Sequence, residues 1–403
     1  MDNSIVIKNA GKENKSLMKT ALVFMMYLLV LGQIYAYNGM PYTTSTKSFV
    51  FEQIASTDKI TVAVSLFSTL CILAMFFSNR IPTVPSYVMV GGILLIGVCQ
   101  WTFATVIDFG INTTFYTSTP PFAYITALIF CVGFDDDLFE TFLKHARIIG
   151  VFSLVLCFIS SIMFFETHPD SIFADCSNLR YYIQSFWLLC ICSFCEEKTN
   201  KVFNYLIIVT LAGMSLFFSS RSWLIQCAIW MVLYTFYSNK QKNFFSTMKK
   251  VFLVCLVTII IVFVLVNVFP DFLDILINKK SPVDTRAGQY KDIFEQTNFW
   301  QFIFGSGYGF SYYSSIQGKI YNYIDNAYIL MLLRYGIIIG FSYTLMFVIP
   351  LFKSKFARQS MPILLWLFAL GGLSIFNATI LDIKSIALPV VAGRCMYLST
   401  KNK

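Results

Sequence analysis

The chain has 403 residues, of which 57% are hydrophobic, 17% aromatic and only 13% charged. That is more apolar surface than one soluble core can hide, so the composition argues against a soluble enzyme and calls for lipid as solvent. The net charge of +9 comes without a compact basic domain, which speaks against nucleic acid as a partner; in a membrane chain such charge reports orientation.

Lys8, Lys12, Lys15 and Lys19 lead into the first apolar run, and no small-x-small cleavage site follows it. An uncleaved span at 18–37 is therefore expected, with the N-terminus cytoplasmic. Apolar runs that approach the roughly 20 residues needed to cross a bilayer core recur at 60–78, 87–107, 119–134, 147–165, 181–195, 202–218, 222–237, 250–269, 327–351, 361–377 and, most weakly, 385–398. About twelve spans, and none of the roughly 10-residue alternating segments of a closed barrel, predict an all-α polytopic integral membrane protein with a single membrane domain over 1–403. Alternation from an inner N-terminus leaves the inner loops richer in Lys and Arg, with Lys240, Lys242, Lys249 and Lys250 in one and Lys353, Lys355 and Arg358 in another.

Several polar features have structural readings. Asp135-Asp136-Asp137 resembles an acidic metal motif, but Asp137 with Glu140 makes a better helix-capping box. Nearly all of the eleven cysteines lie inside apolar runs, and Cys190, Cys192 and Cys195 have no histidine nearby to complete a metal site, so they read as small apolar helix residues. With His145 in an inner loop and His168 in an outer one, a histidine-based triad is poorly supported. No metal or other cofactor is called for.

One connection differs in kind. The segment 270–325 is far longer than the other loops and falls on the outer side, yet Phe294, Phe299, Trp300, Phe302, Phe304, Tyr308, Phe310, Tyr312, Tyr313, Tyr321 and Tyr323 make it too aromatic for disorder. It is expected to fold over the membrane face. Asp284 and Thr285 offer N-cap oxygens, and Ala287, Tyr290, Ile293 and Phe294 share a helical face before Gly305 ends the run, which predicts an amphipathic interfacial helix. Gly305-x-Gly307-x-Gly309 lacks the strand-then-helix context of a dinucleotide site and reads as a flexible turn.

Three arginines stand where anions bind. Arg221 follows Ser219-Ser220 at a helix start on the outer side, where free N–H groups and the helix dipole add to the guanidinium, although a snorkelling anchor explains it equally. Arg286 opens the loop helix beside Asp284, an awkward place for a cation unless an anion or that carboxylate compensates it. Arg334 lies about two turns into the span that Asp325-Asn326 introduces, and such a charge must face protein or water. An ion pair and a substrate role both remain open for it.

Taken in order, Ser219-Ser220-Arg221-Ser222, Thr285-Arg286-Ala287, Phe304-Gly305-Ser306-Gly307-Tyr308-Gly309, Asp325-Asn326-Ala327-Tyr328 and Arg334-Tyr335-Gly336-Ile337-Ile338 resemble the bacterial O-antigen and capsular polysaccharide polymerases of the Wzy type. These belong to the superfamily shared with the O-antigen ligases. The similarity covers the second half of the chain in pattern and the whole chain in topology. It implies a GT-C-like membrane enzyme of the bacterial cytoplasmic (inner) membrane, a glycosyltransferase that joins undecaprenyl-diphosphate-linked oligosaccharide units on the outer face. The resemblance further implies Arg221, Arg286 and Asp325 as catalytic residues, with Asp284, Tyr290, Asn326 and Arg334 contacting substrate. It also makes the bilayer and a chain-length regulator candidate partners. Ligases of the superfamily carry a histidine where this chain has Asp325, which favours polymerase; ligase and lipid-linked oligosaccharide flippase are the alternatives.

Overall fold

In the computed structural model the described residues are 3–38, 59–78, 85–115, 121–167, 186–195, 200–217, 221–237, 285–316, 318–322, 324, 326–353 and 383–401. They form helices α1 (Asn3–Asn38), α2 (Lys59–Ser78), α3 (Pro85–Phe115), a 3-10 helix (Pro121–Phe134), α4 (Asp136–Thr167), α5 (Phe186–Cys195), α6 (Lys201–Phe217), α7 (Arg221–Tyr237), α8 (Thr285–Gln296), α9 (Phe299–Phe304), α10 (Ala327–Lys353) and α11 (Ile383–Lys401). Two short strands, β1 (Tyr312–Ser314) and β2 (Lys319–Tyr321), form an antiparallel hairpin between α9 and α10. The described chain is mostly helical, as expected, with that hairpin as a small addition. Tyr312, Tyr313, Ile320 and Tyr321 are the β-branched and aromatic residues that favour a pleated, half-buried surface, and Gly318, at φ 63°, makes the tight turn.

Three of the described helices are long and apolar enough to cross a membrane, through Lys15–Gly32, Tyr87–Ile111 and Tyr328–Pro350. Ala63–Ser78, Pro121–Phe134, Lys201–Ser215 and Ile386–Thr400 are apolar but shorter. The described chain is thus a helical membrane protein with three helices of spanning length, against the about twelve spans expected from sequence. The spans expected at 250–269 and 361–377 lie outside the described residues.

The chain divides into two compact units, one of Met1–Pro41, Thr46–Ile149 and Arg286–Lys403, the other of Tyr42–Ser45 and Gly150–Thr285. In the first unit the 3-10 helix is the centre: all fourteen of its residues are buried, and α11, α2, α3 and α10 pack around it. At about 2.0 Å per residue it extends about 28 Å, against about 21 Å for the same residues as α-helix, which brings it near the about 30 Å of a hydrocarbon core. Its closest crossing is with α11, where Gly133 meets the backbone of Val390 and Arg394, and Gly393 that of Phe130. A Cβ on Gly133 would lie 2.7 Å from the carbonyl carbon of Gly393, and one on Gly393 would strike the Phe130 carbonyl. Small residues that let backbones touch are how helices associate where lipid gives no hydrophobic drive.

At one end of the same unit charges fasten α1, α4 and α11. Asp135 caps α4, its Oδ1 accepting from the N–H of Asp137 at 2.9 Å and of Leu138 at 3.1 Å. The capping residue is therefore Asp135 and not Asp137, because the helix begins two residues earlier than the sequence pattern suggested. Lys15 pairs with Asp135 at 3.2 Å, Lys19 with Asp137 at 3.8 Å, and Arg394 with Asp136 at 2.6 Å.

The second unit holds its helices by polar links between apolar faces. Trp230 on α7 donates to Ser193 Oγ on α5 at 2.9 Å, and that hydroxyl donates on to the Cys190 carbonyl at 2.7 Å. Asn204 on α6 donates to the Tyr234 hydroxyl on α7 at 2.9 Å. Cys190 and Cys192 are buried in α5 as small helix residues.

Candidate functional site

The candidate site lies where α10 is broken. Gly336 adopts φ 71° and ψ −171° inside the helix, so the carbonyls of Leu333 and Arg334 lose the donors that the next turn would supply. The loop between α9 and β1 replaces them. Ser306 N–H donates to the Leu333 carbonyl at 2.7 Å and Gly307 N–H to the Arg334 carbonyl at 2.8 Å. An unmade bond of this kind costs about 1–3 kcal/mol when buried, and irregular backbone at membrane depth is tolerated only when protein satisfies it. Gly305 and Gly307, at φ 80° and 83°, permit the approach; a Cβ on Gly305 would sit 2.7 Å from the Arg334 carbonyl oxygen and 2.8 Å from the Gly336 nitrogen. The glycine run expected as a flexible turn is a docked one.

Arg334 is 3% exposed at this break. Its guanidinium donates to the Asn322 carbonyl at 2.6 Å and lies 4.9 Å from the centre of the Tyr308 ring. Tyr335 and Tyr124, whose ring centroids are 5.7 Å apart, complete an aromatic wall that continues to Trp101 and Tyr343. A charge placed within a span costs about 3 kcal/mol. A desolvated cation–π contact returns about 2 kcal/mol and a charged hydrogen bond about 1.5–3 kcal/mol, so the enclosure offsets the burial. The guanidinium faces protein, as the sequence required, and it fastens the hairpin and the glycine loop to the spanning helix.

The segment from Arg286 onward is folded, with a small core of Ile293, Phe310, Tyr312, Ile324, Leu330 and Leu333 shared with the first half of α10. The single helix expected up to Gly305 is two. α8 ends at Gln296, and Asn298 opens α9 with a reciprocal capping box to Gln301. The face α8 buries also differs from the expected one: Ile293 is inside, Phe294 is exposed and stacked on Phe302, and Asp292 is buried instead. Asp292 accepts from the Ser315 N–H at 2.8 Å and the Ser315 hydroxyl at 2.7 Å, tying α8 to the hairpin turn. Replacing Asp292 by alanine strips both bonds and is expected to cost about 1–3 kcal/mol, read as faster protease cleavage within 285–324 in detergent while the rest of the chain keeps its digestion pattern.

The other expected site residues are distributed as follows. Arg221 is the first residue of α7, and Arg286 the second of α8. Arg221 belongs to one compact unit, and Arg286, Tyr290, Asn326 and Arg334 to the other. Asp284 and Asp325 lie outside the described residues. Tyr290 is half-buried on α8. Asn326 is a helix cap, its Oδ1 accepting from the N–H groups of Tyr328 at 3.0 Å and Ile329 at 3.3 Å. His145 hydrogen-bonds Tyr27 at 3.2 Å in the first unit, and burial, then Lys144, lowers its pKa.

Tyr308 was offered from sequence only as one of the loop aromatics from Trp300 to Tyr323 that could stack on sugars, and Asn322, Tyr335, Tyr124 and Trp101 were not singled out as site residues. Tyr308 and Tyr335 stand inside the quoted motifs and so carried a local signal; Trp101 and Tyr124 meet Arg334's surroundings only through tertiary packing. No protein-family model, no curated protein and no solved structure matches this chain.

Proposed function

We propose that the protein is a polysaccharide polymerase that joins polyprenyl-diphosphate-linked oligosaccharide units on the outer face of a bacterial cytoplasmic membrane, in O-antigen or capsule synthesis. The observation that carries the proposal is the enclosed Arg334 at the break of a spanning helix, roofed by the folded segment that begins with Arg286. Four of the five motifs that carry the resemblance to Wzy-type polymerases fall between residues 285 and 338, the stretch that includes this point.

In the proposed reaction a hydroxyl of the acceptor unit attacks the anomeric carbon of the donor glycan. The bond from that carbon to the polyprenyl diphosphate oxygen breaks, the new glycosidic bond forms, and the diphosphate leaves with the electron pair. A diphosphate is already a good leaving group, so the enzyme's main tasks are cationic stabilisation of the departing charge and acceptance of the hydroxyl proton. In this reading Arg221 and Arg286 hold the diphosphates, since guanidinium presents paired donors to phosphate oxygens. Asp325 takes the proton, and Arg334 keeps Tyr290, Asn326 and the roofing loop in register. About twelve spans with a cytoplasmic N-terminus and a GT-C-like arrangement belong to the same proposal.

One feature favours a second reading. Both α3, at Gly110, and α10, at Gly336, are interrupted helices, the form transporters use at midplane substrate sites; a flippase for the same lipid-linked units fits that.

Deleting the gene in its native bacterium separates the two. Polymerase predicts single-repeat surface material in the deletion, a full ladder with the wild-type gene, and no ladder with Arg221→Ala or Arg286→Ala although both variants reach the membrane. A deletion with no surface units points to the flippase or a ligase, and a normal ladder from either variant removes that arginine from the mechanism.

A further inference from the structure

α9 presents an aromatic face that nothing among the described residues covers. Phe299, Trp300 and Phe304 are 70%, 62% and 67% exposed, and Trp300 stacks on Phe304 with centroids 5.7 Å apart. With Ile303 they occupy one side of the short helix at about 100° per residue, while Phe302 turns inward to the core of the segment. A water-facing helix of this composition is costly, since each such ring leaves about 1.5–3 kcal/mol of burial unused.

The position of α9 identifies what covers it. Its C-terminal end abuts the break in α10: a Cβ on Gly336 would lie 2.7 Å from the carbonyl carbon of Phe304 and 2.9 Å from the nitrogen of Gly305. Gly336 stands eight residues into the apolar stretch Tyr328–Pro350, about 12 Å along the helix at 1.5 Å per residue. α9 therefore ends beside a spanning helix below the start of its apolar length, and not above it. Immediately after the break, Ile337, Ile338 and Phe341 are exposed on α10, so two adjoining elements leave apolar side chains uncovered at one level. The charged residues of the segment, Arg286, Lys291, Asp292, Glu295 and Lys319, lie on α8 and β2 instead. In the backbone that joins α9 to β1, the amides of Ser306 and Gly307 are satisfied by α10 and those of Gly305 and Phe310 by the Gln301 and Gly307 carbonyls, as irregular chain at membrane depth requires.

We propose that α9 is a membrane-embedded wedge, its Phe299–Trp300–Phe304 face seated among the acyl chains beside the α10 break. The wedge anchors the Arg286–Ile324 segment to the bilayer and sets its height against the α10 break. It differs from the interfacial helix expected over 285–305, because α8 carries the polar side and only α9 enters lipid. The inference does not depend on the reaction catalysed.

The test uses the full chain in phosphatidylcholine nanodiscs, with Trp300 as reporter. Wild-type emission minus that of Trp300→Phe isolates the residue, and the variant keeps an aromatic ring at an exposed position. The expected result is that this difference emission is quenched by lipid brominated near the headgroup or near the chain end, and is left nearly unchanged by acrylamide in the buffer. Adding Phe304→Trp to the Trp300→Phe variant is expected to restore lipid-quenched emission. Emission quenched by acrylamide and by neither lipid overturns the proposal in favour of a water-facing shelf; emission untouched by all three quenchers overturns it in favour of a protein partner over α9.

Discussion

Gly393→Ala is expected to destabilise the protein by about 3 kcal/mol or more, at the upper end of what overpacking a filled interior costs. The methyl group would be driven into the Phe130 carbonyl of the central 3-10 helix, and backbone cannot swing aside as a side chain tip can. The reciprocal change, Gly133→Ala, meets the backbone of Val390, Gly393 and Arg394 and should behave alike. Gly92→Ala, on the other hand, finds nothing within 4 Å and gains helix propensity of about 0.5–1 kcal/mol. Thermal denaturation in detergent, followed by the fraction remaining monodisperse, reads all three. A Gly393→Ala midpoint equal to that of Gly92→Ala would show that the two backbones do not cross as closely as the structure has them.

Arg334→Ala is expected to abolish long polymer while altering stability far less than Gly393→Ala. The reason is the near-balance at the site: about 3 kcal/mol of membrane cost disappears with the charge, against about 2 kcal/mol of cation–π contact and a similar hydrogen-bond contribution. What is lost is position, because Asn322 and Tyr308 no longer share an anchor on α10. Arg334→Lys should fail nearly as badly, since an ammonium is a point charge and cannot stack flat on Tyr308 while reaching the Asn322 carbonyl. Surface polysaccharide from complemented deletion cells gives the activity, and limited proteolysis of 286–324 gives the loosening. A wild-type ladder from Arg334→Ala would remove the residue from the proposed function altogether.

The apolar runs carried the membrane class, since α1, α3 and α10 need no tertiary partner to be recognised. The 3-10 helix was legible as an apolar helix and illegible in form: Pro121–Phe134 is apolar on every side, so no period distinguishes one helix type from another, and its tightening answers to the neighbours that enclose it. Arg334 was legible as a buried charge because the cost of a guanidinium in lipid is a local fact. Its partners were less so, since Tyr308 and Asn322 reach it by a route through α9 and the hairpin that no spacing rule encodes. The break at Gly336 and the docking of Gly305 and Gly307 are a single event seen from two places in the chain, and each half alone looks like an ordinary glycine. Asp292 escaped notice for a related reason: a lone aspartate on an exposed-looking helix gives no sign that Ser315 waits for it.

The enclosure of Pro121–Phe134 also constrains how the protein is made. A segment with no side free for lipid has no finished environment until its last wall arrives, and that wall includes α11, at the far end of the chain. During synthesis the N-terminal spans must hold this stretch in a provisional state through the whole intervening sequence. Assembly of the first compact unit therefore waits until α11 has been made and is not finished element by element as the chain emerges.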